Sequence, residues 1–136
     1  MRTVLSRGFL LVAMPLTLVA CERTPQLHVK QAKGVVRIDV GPFGSKPPRV
    51  SSLRLREVQS GSTVWAVREK KTMRLWRIDL RAGSNQAMPL ISRGSAEVMV
   101  PAGLDSFRLA PGIDYDLEVC GGMFARSCVS ERVRIP

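Results

Sequence analysis

Residues 114–120 read DYDLEVC, and residues 128–135 read CVSERVRI. In both stretches apolar and polar residues alternate, which is typical of a β-strand with one buried and one solvent-exposed face. If the stretches pair antiparallel with Cys120 opposite Cys128, opposite charges meet outside and apolar side chains inside. The facing pairs are then Asp116–Arg132, Asp114–Arg134, Glu118–Ser130, Val119–Val129, Tyr115–Val133 and Ile113–Ile135, with Leu117–Glu131 as a mismatch. A shift by one residue would destroy this agreement, so the two stretches predict a hairpin in this register.

Short stretches of the same alternation recur upstream, separated by Gly, Pro and Ser. They predict strands at residues 36–40, 53–56, 63–68, 73–80, 97–100 and 106–109, and one short edge strand within 83–95. In the stretch 73–80, Trp76, Ile78 and Leu80 are predicted to share one face. No segment has a sustained 3.6-residue repeat, so helix is expected to be scarce. The chain is therefore predicted to be all-β, as a sandwich or a barrel.

Residues 109–119, LAPGIDYDLEV, resemble the turn into strand F of fibronectin type III and related immunoglobulin-like domains. In those domains a tyrosine placed like Tyr115 hydrogen-bonds to nearby backbone. Trp65 resembles the core tryptophan of their strand B, and residues 75–79 (LWRID) resemble their strand C. The resemblance spans residues 47–136. It implies an antiparallel immunoglobulin-like β-sandwich.

In such a sandwich, alternation directs five side chains to one core, where they are predicted to have structural roles: Trp65, Trp76, Tyr115, Leu117 and Val119. Two segments depart from the resemblance. Residues 83–95 do not align with the family, and residues 35–40 would be an additional or alternative first strand. A different β-sandwich or a small barrel is the alternative fold.

The first seven residues include two basic ones, Arg2 and Arg7, and an uncharged apolar run follows at residues 8–20. The run has the length of a signal peptide's apolar region and is too short for a full membrane span. It ends in Leu-Val-Ala-Cys, which resembles the lipobox of bacterial lipoproteins. The resemblance implies cleavage of the signal peptide at residues 1–20 and acylation of Cys21. An ordinary secretory signal or an uncleaved anchor would share the charge and the apolar run.

Residues 21–33 are polar and are predicted to be the lipid attachment site and a flexible tether, with the β-sandwich domain at residues 34–136. His28, the single histidine, falls in this predicted tether and is not expected to be catalytic. Because an exported chain folds in an oxidising compartment, Cys120 and Cys128 are predicted to form a disulfide. Their spacing of seven intervening residues does not fit a zinc pattern, and no metal site is predicted.

The chain is strongly basic, with 21 Lys and Arg against 11 Asp and Glu and a formal charge of +10. Cleavage after residue 20 removes two basic residues and no acidic ones, which leaves +8. In an exported protein this charge favours anionic lipids or an anionic envelope polymer over nucleic acid. The candidates for binding an anion or another envelope protein are Arg54, Arg56, Arg74 and Arg77. The alternative is that these arginines are simply solvent-facing strand residues.

Asp114, Asp116 and Glu118 share one face of a strand. They could bind calcium or act as acids and bases, but Arg132 and Arg134 on the next strand favour a role as charge partners. The sequence contains no glycine-rich phosphate loop or paired metal-ligand motif, and no enzyme activity is predicted.

The predicted function is a non-enzymatic binding or structural module of the cell envelope, held in the bilayer by the lipid on Cys21 and needing no other cofactor. The alternative is a lipoprotein subunit of an envelope assembly such as a secretion or pilus system. An inhibitor of cell-wall hydrolases is disfavoured, because those targets are usually basic. Glu22 follows the lipidated cysteine in place of the aspartate that retains lipoproteins in the inner membrane of enteric bacteria. This favours the outer membrane, facing the periplasm.

Overall fold

The computed structural model describes residues 24–42, 44, 46–86, 94–102, 104, 106–122 and 126–136. These residues form strands and no helix, which confirms the all-β prediction. The strands are β1 (Gln26–Ala32), β2 (Val35–Gly41), β3 (Ser52–Glu57), β4 (Thr63–Glu69), β5 (Arg77–Arg81), β6 (Gly83–Gln86), β7 (Ala96–Val100), β8 (Ser106–Leu109), β9 (Asp114–Gly121) and β10 (Ser127–Arg134). The predicted signal peptide and Cys21 lie outside the described residues.

Two antiparallel sheets enclose one core, in a β-sandwich-like arrangement. Five strands form one sheet in the order β10-β9-β3-β4-β7, three form another in the order β1-β2-β5, and β6 pairs with β8. The largest fully buried side chains come from both main sheets and, for Met73 and Ile135, from segments beside them: Trp65, Tyr115, Ile38, Leu53, Leu55, Met73, Ile78, Leu80, Leu117, Ile135, Val36 and Val40. The apolar positions of the alternating strands therefore supply the core, as their period of two requires.

The hairpin of β9 and β10 has the predicted register. Cys120 lies opposite Cys128, and a disulfide joins them with their Cα atoms 4.0 Å apart. The other predicted pairs within the two strands are also formed: Asp116–Arg132, Asp114–Arg134, Glu118–Ser130, Val119–Val129, Tyr115–Val133 and Leu117–Glu131. Alternation and the position of the cysteines were sufficient to define this pairing.

The prediction of a flexible tether at residues 21–33 is wrong for most of that segment. Gln26–Ala32 form β1, which pairs along its whole length with β2. Lys33 and Gly34, with φ of 50° and 79°, make the two-residue turn between them. Because β1 is an edge strand with mostly exposed side chains, its sequence lacks a clear apolar period. The ordered domain thus already includes Pro25, which is buried.

The predicted strand at residues 73–80 is shorter, and its buried face changes phase. Only Arg77–Arg81 form β5, and a bend precedes it at Trp76. The buried apolar side chains on either side of the bend are Met73, Leu75, Ile78 and Leu80. Their spacing is three residues across the bend instead of two. The prediction that Trp76 lies in the core is therefore wrong, since this residue is 39% exposed.

Trp65 and Tyr115 are buried in the core, as predicted. The Trp65 ring stacks on Phe107 with their centroids 4.8 Å apart. The backbone N–H of Ala110 donates a hydrogen bond to the Tyr115 hydroxyl oxygen at 3.1 Å. The hydroxyl therefore makes the kind of backbone contact that the resemblance implied.

The strand assignments implied by the resemblance are wrong. In immunoglobulin sandwiches strand C shares a sheet with strands F and G, and strand B lies in the other sheet. Here β9 lies between β10 and β3, whereas β5 pairs with β2 in the opposite sheet. Trp65 lies on β4, in the same sheet as β9 and β10. Short motifs predict that strands exist, but they do not determine which distant strands pair.

The sandwich has two ends of different construction. The chain enters at what we call the proximal end, formed by residues 24–25, 46–51, 69–76, 121–122 and 126. At the opposite, distal end lie the turns at residues 33–34, 58–62 and 110–113. The distal end is built mainly from tight turns, whereas the proximal end is built from longer connections.

Candidate interaction surface

The four candidate arginines do not form one site. Arg54 and Arg56 lie on β3, on the outer face of the five-stranded sheet, opposite acidic residues of β9. Arg77 begins β5 in the other sheet, and Arg74 precedes it at the proximal end. The structure thus brings Arg54 and Arg56 together on one face and leaves Arg74 and Arg77 elsewhere.

A ladder of alternating charges covers the outer face of the five-stranded sheet. The Asp116 carboxylate lies between Arg132 of β10 and Arg56 of β3, at N–O distances of 3.0 and 4.0 Å. Beside it, Arg54 contacts Glu118 at 2.8 Å. Exposed pairs of this kind contribute little to stability, but they favour one strand register over its neighbours. The positive charge of Arg54 and Arg56 is therefore largely balanced within the sheet itself.

The titration of Asp116 follows from this geometry. A hydrogen bond from Arg132 holds the pKa of Asp116 below its ordinary value; partial burial opposes this shift, and the charges of Arg132 and Arg56 add to it. The same hydrogen bond raises the pKa of Arg132. Asp116 is therefore an ionised acceptor at neutral pH and is not suited to donate a proton.

The three acidic residues of β9 each have an arginine partner, which confirms their predicted role as charge partners. Asp116 contacts Arg132, and Asp114 lies 3.9 Å from Arg134. The partner of Glu118 is Arg54, a contact that the sequence did not predict because it depends on the long-range pairing of β3 with β9. Among the described residues, no group of three His, Cys, Asp or Glu side chains could hold a metal ion.

The outer face of the three-stranded sheet carries a second set of charges. His28 lies within this sheet, opposite Asp39 of β2, and not in a tether as predicted. Asp39 lies 3.6 Å from the Lys30 ammonium group. Farther along, Asp79 contacts Arg37 at 3.2 Å and Arg77 at 3.9 Å. Like the opposite sheet, this face pairs its cations with carboxylates.

Three segments pack closely at the proximal end. A Cβ placed on Gly121 would lie 2.8 Å from the Arg49 carbonyl oxygen and 3.2 Å from the Pro25 ring, so only glycine fits. The Arg49 guanidinium donates two hydrogen bonds to Glu69, at 2.9 and 3.1 Å. This carboxylate raises the pKa of Arg49. Together these contacts hold the start of the domain against the ends of β4 and β9.

Exposed basic side chains surround this junction and have no acidic partner among the described residues: Lys46, Lys70, Lys71, Arg74 and Arg126. The nearby Glu69 and Glu97 are bound by Arg49 and Arg68. Trp76, with its exposed indole, lies at the same end. The sequence did not predict this surface, because its residues come from separate connections that only the fold brings together.

The described residues include no helix with the length and apolar character needed to cross a membrane. No protein-family model, no curated protein and no solved structure matches the chain.

Proposed function

We propose that this chain is a lipoprotein of the bacterial envelope, in which acyl chains on Cys21 anchor a small, non-enzymatic binding or structural module. The observation that carries the proposal is the position of the domain boundary. Pro25 is buried, and the Thr24 hydroxyl is hydrogen-bonded to Ser127 at 3.0 Å, so the packed domain begins no later than these residues. The cysteine of the lipobox-like sequence thus immediately precedes the packed domain, where an acylated N-terminus can reach a bilayer without disturbing the fold.

Two further features support export and anchoring. The disulfide between Cys120 and Cys128 suits the oxidising compartment to which a signal peptide delivers a protein. It also leaves Cys21 as the remaining cysteine of the chain. Several acyl chains on one residue anchor a protein stably, whereas a single chain binds only marginally.

The fold supports a module that presents surfaces. We assign it to the immunoglobulin-like sandwiches, in a variant with its own strand order, because two antiparallel sheets share one core and Tyr115 accepts a hydrogen bond from the Ala110 backbone. The carboxylates of β9 are engaged by arginines, which suits a structural role for them. Folds of this kind present their faces and loops to partners, and the function of each member depends on those surfaces.

Mass spectrometry of the native protein tests the anchor. The mature chain is expected to begin at Cys21 and to carry the mass of its acyl chains. A Cys21→Ser variant is expected to lack both the cleavage and the lipid. A chain with Cys120→Ser and Cys128→Ser is the matched control, since it loses two cysteines but keeps the lipobox-like sequence. Residues preceding Cys21 in the mature protein, or an unmodified Cys21, would refute the proposal.

Membrane fractionation tests the location. We propose the outer membrane, because Glu22 stands at the position where an aspartate retains lipoproteins in the inner membrane of enteric bacteria. In an enteric host, Glu22→Asp is expected to move the protein to the inner membrane, whereas Glu22→Gln is expected to leave it in place. Recovery of the unaltered protein with inner membranes would contradict this assignment.

A further inference from the structure

We propose that the proximal end of the sandwich docks on the anionic head groups of the bilayer, so that the domain stands on the membrane with its distal end facing away. The inference rests on the proposed lipidation of Cys21, and it adds an orientation and a binding surface. The outer faces of the two sheets would then be free on the sides of the domain.

The connection between the domain and the lipidated residue is short. Thr24 is hydrogen-bonded to Ser127 at 3.0 Å, and Pro25 packs against Gly121, so the chain is fixed to the domain there. Two residues, Glu22 and Arg23, lie between Thr24 and Cys21, which makes three residue steps. Since an extended chain spans at most about 3.6 Å per residue, Thr24 stays within roughly 11 Å of the lipidated residue. The distal end lies about 23 Å farther away, the length of the seven-residue strand β1.

The described side chains of the proximal end give it a positive charge. The basic side chains there that have no acidic partner in the described part of the chain are Lys46, Lys70, Lys71, Arg74 and Arg126. The surface potential of an anionic membrane decays over about 8 Å at physiological salt, and the short connection to Cys21 allows these cations to approach the head groups to within that distance. Each basic residue near an anionic membrane strengthens adsorption by roughly fivefold.

The exposed Trp76 is suited to the membrane–water interface. An indole has an apolar ring and a polar N–H, and tryptophan is accordingly enriched at membrane–water interfaces. The Trp76 carbonyl accepts a hydrogen bond from the Val40 backbone at 2.7 Å, and Val40 pairs with Leu27 near the start of β1. Trp76 therefore lies about two strand spacings, roughly 10 Å, from the point where the chain leaves toward the lipid.

The charged sheet faces are weaker candidates for the same role. Arg54 contacts Glu118, and Arg132 contacts Asp116, so the cations there already have carboxylate partners. Docking by a sheet face would also bring those carboxylates against anionic head groups. The described segments of the proximal end contain one acidic residue, Glu69, which Arg49 binds, and the five further basic residues named above, so the local charge there is positive.

Fluorescence quenching in vesicles tests the orientation. The mature protein is reconstituted into phosphatidylcholine vesicles with or without phosphatidylglycerol, each containing lipids brominated close to the head group. We expect quenching that is strong in the anionic vesicles and is lost in the Trp76→Phe variant. The double variant Lys70→Glu, Lys71→Glu removes two cations and should weaken docking by at least about 25-fold. Its quenching should therefore fall to the level seen in neutral vesicles.

A matched variant at the distal end is the control. Arg81 and Arg108 are exposed and lie near the distal turns, so Arg81→Glu with Arg108→Glu makes the same change in charge away from the proposed surface. This variant should keep full quenching. Equal loss in both variants, or no quenching of the unaltered protein in anionic vesicles, overturns the orientation. Flotation distinguishes a failure of the proposed lipid anchor from a failure of the proposed orientation. Protein that floats with neutral vesicles at high salt carries its lipid anchor, whatever its orientation. Protein that does not float refutes both proposals.

Discussion

The β9–β10 hairpin and the segment from β4 to β5 show opposite relations between sequence and structure. In the hairpin, alternation is interrupted only at Glu131, and each predicted pair within the strands is formed. Between β4 and β5, the buried residues change phase at the bend, and Trp76 lies on the outside although the nearby strand pattern places it inside. Alternation predicts the face of a side chain only while the ladder that imposes the period of two is continuous.

The two tryptophans test this difference with the largest expected effect. Trp65 lies in a continuous strand and is buried, so Trp65→Ala is expected to lower the free energy of unfolding by about 3–5 kcal/mol. Trp76→Ala is expected to cost clearly less, because that residue is 39% exposed and lies outside the core cluster. Denaturant unfolding measures both.

A third variant sharpens the assignment of Trp65. Its indole Nε1 has no hydrogen-bond partner among the described residues, and its ring stacks on Phe107. Trp65→Phe keeps an aromatic ring and removes the unpaired N–H, so its cost should be well below that of Trp65→Ala. A cost for Trp76→Ala as large as that for Trp65→Ala would contradict the phase change at the bend.

Removal of the disulfide tests how far the hairpin depends on its cross-link. Cys120 and Cys128 close a short loop, with a separation of 8 residues. Replacing both with serine is expected to cost roughly 2–3 kcal/mol, because the unfolded chain regains the entropy of the open loop. Calorimetry of the variant, compared with the unaltered protein with and without reductant, measures this. Reduction that leaves the unaltered protein as stable as before would contradict the expectation.

Tyr115→Phe tests the turn that leads into the hairpin. The substitution keeps the buried ring but leaves the Ala110 N–H without its acceptor. The expected loss is about 1 kcal/mol, the net value of one such hydrogen bond. Phe107→Tyr is not a suitable control, because it adds a buried hydroxyl group. Ser130→Ala, on the exposed face of β10, should leave the unfolding midpoint unchanged.

The smallest effect on stability is expected from the ion pairs between facing residues of β9 and β10. Because the folded-state pKa of Asp116 is lowered, its stabilising effect is present above its unfolded pKa, about 3.9, and is lost as the pH falls through the folded value. Asp116→Asn should therefore unfold slightly more easily than the unaltered protein at neutral pH, and the two should converge in acid. Asp114→Asn should have a smaller effect at neutral pH, since Asp114 and Arg134 are 3.9 Å apart. A difference for Asp116→Asn that grows in acid would contradict the assignment.

Much of the strand inventory was predictable, because it depends on local alternation and on breaks at Gly and Pro. The prediction failed at β1, an edge strand whose pairing with β2 compensates for a weak apolar pattern. It also failed for the order of the strands. β3 and β9 pair although about 60 residues lie between them, and no local feature of either strand specifies its partner.

The sequence by itself determined the all-β class, the register of the C-terminal hairpin and the charge partners of Asp114 and Asp116, because period-two alternation and the two cysteines are local signals. Tertiary structure alone decided the exposure of Trp76, the inclusion of β1 in the domain and the assembly of the proximal basic surface. These features depend on which distant segments approach one another. At the proximal end that approach is set by the fit of Pro25 and Arg49 around Gly121, where a side chain larger than hydrogen would collide with the backbone.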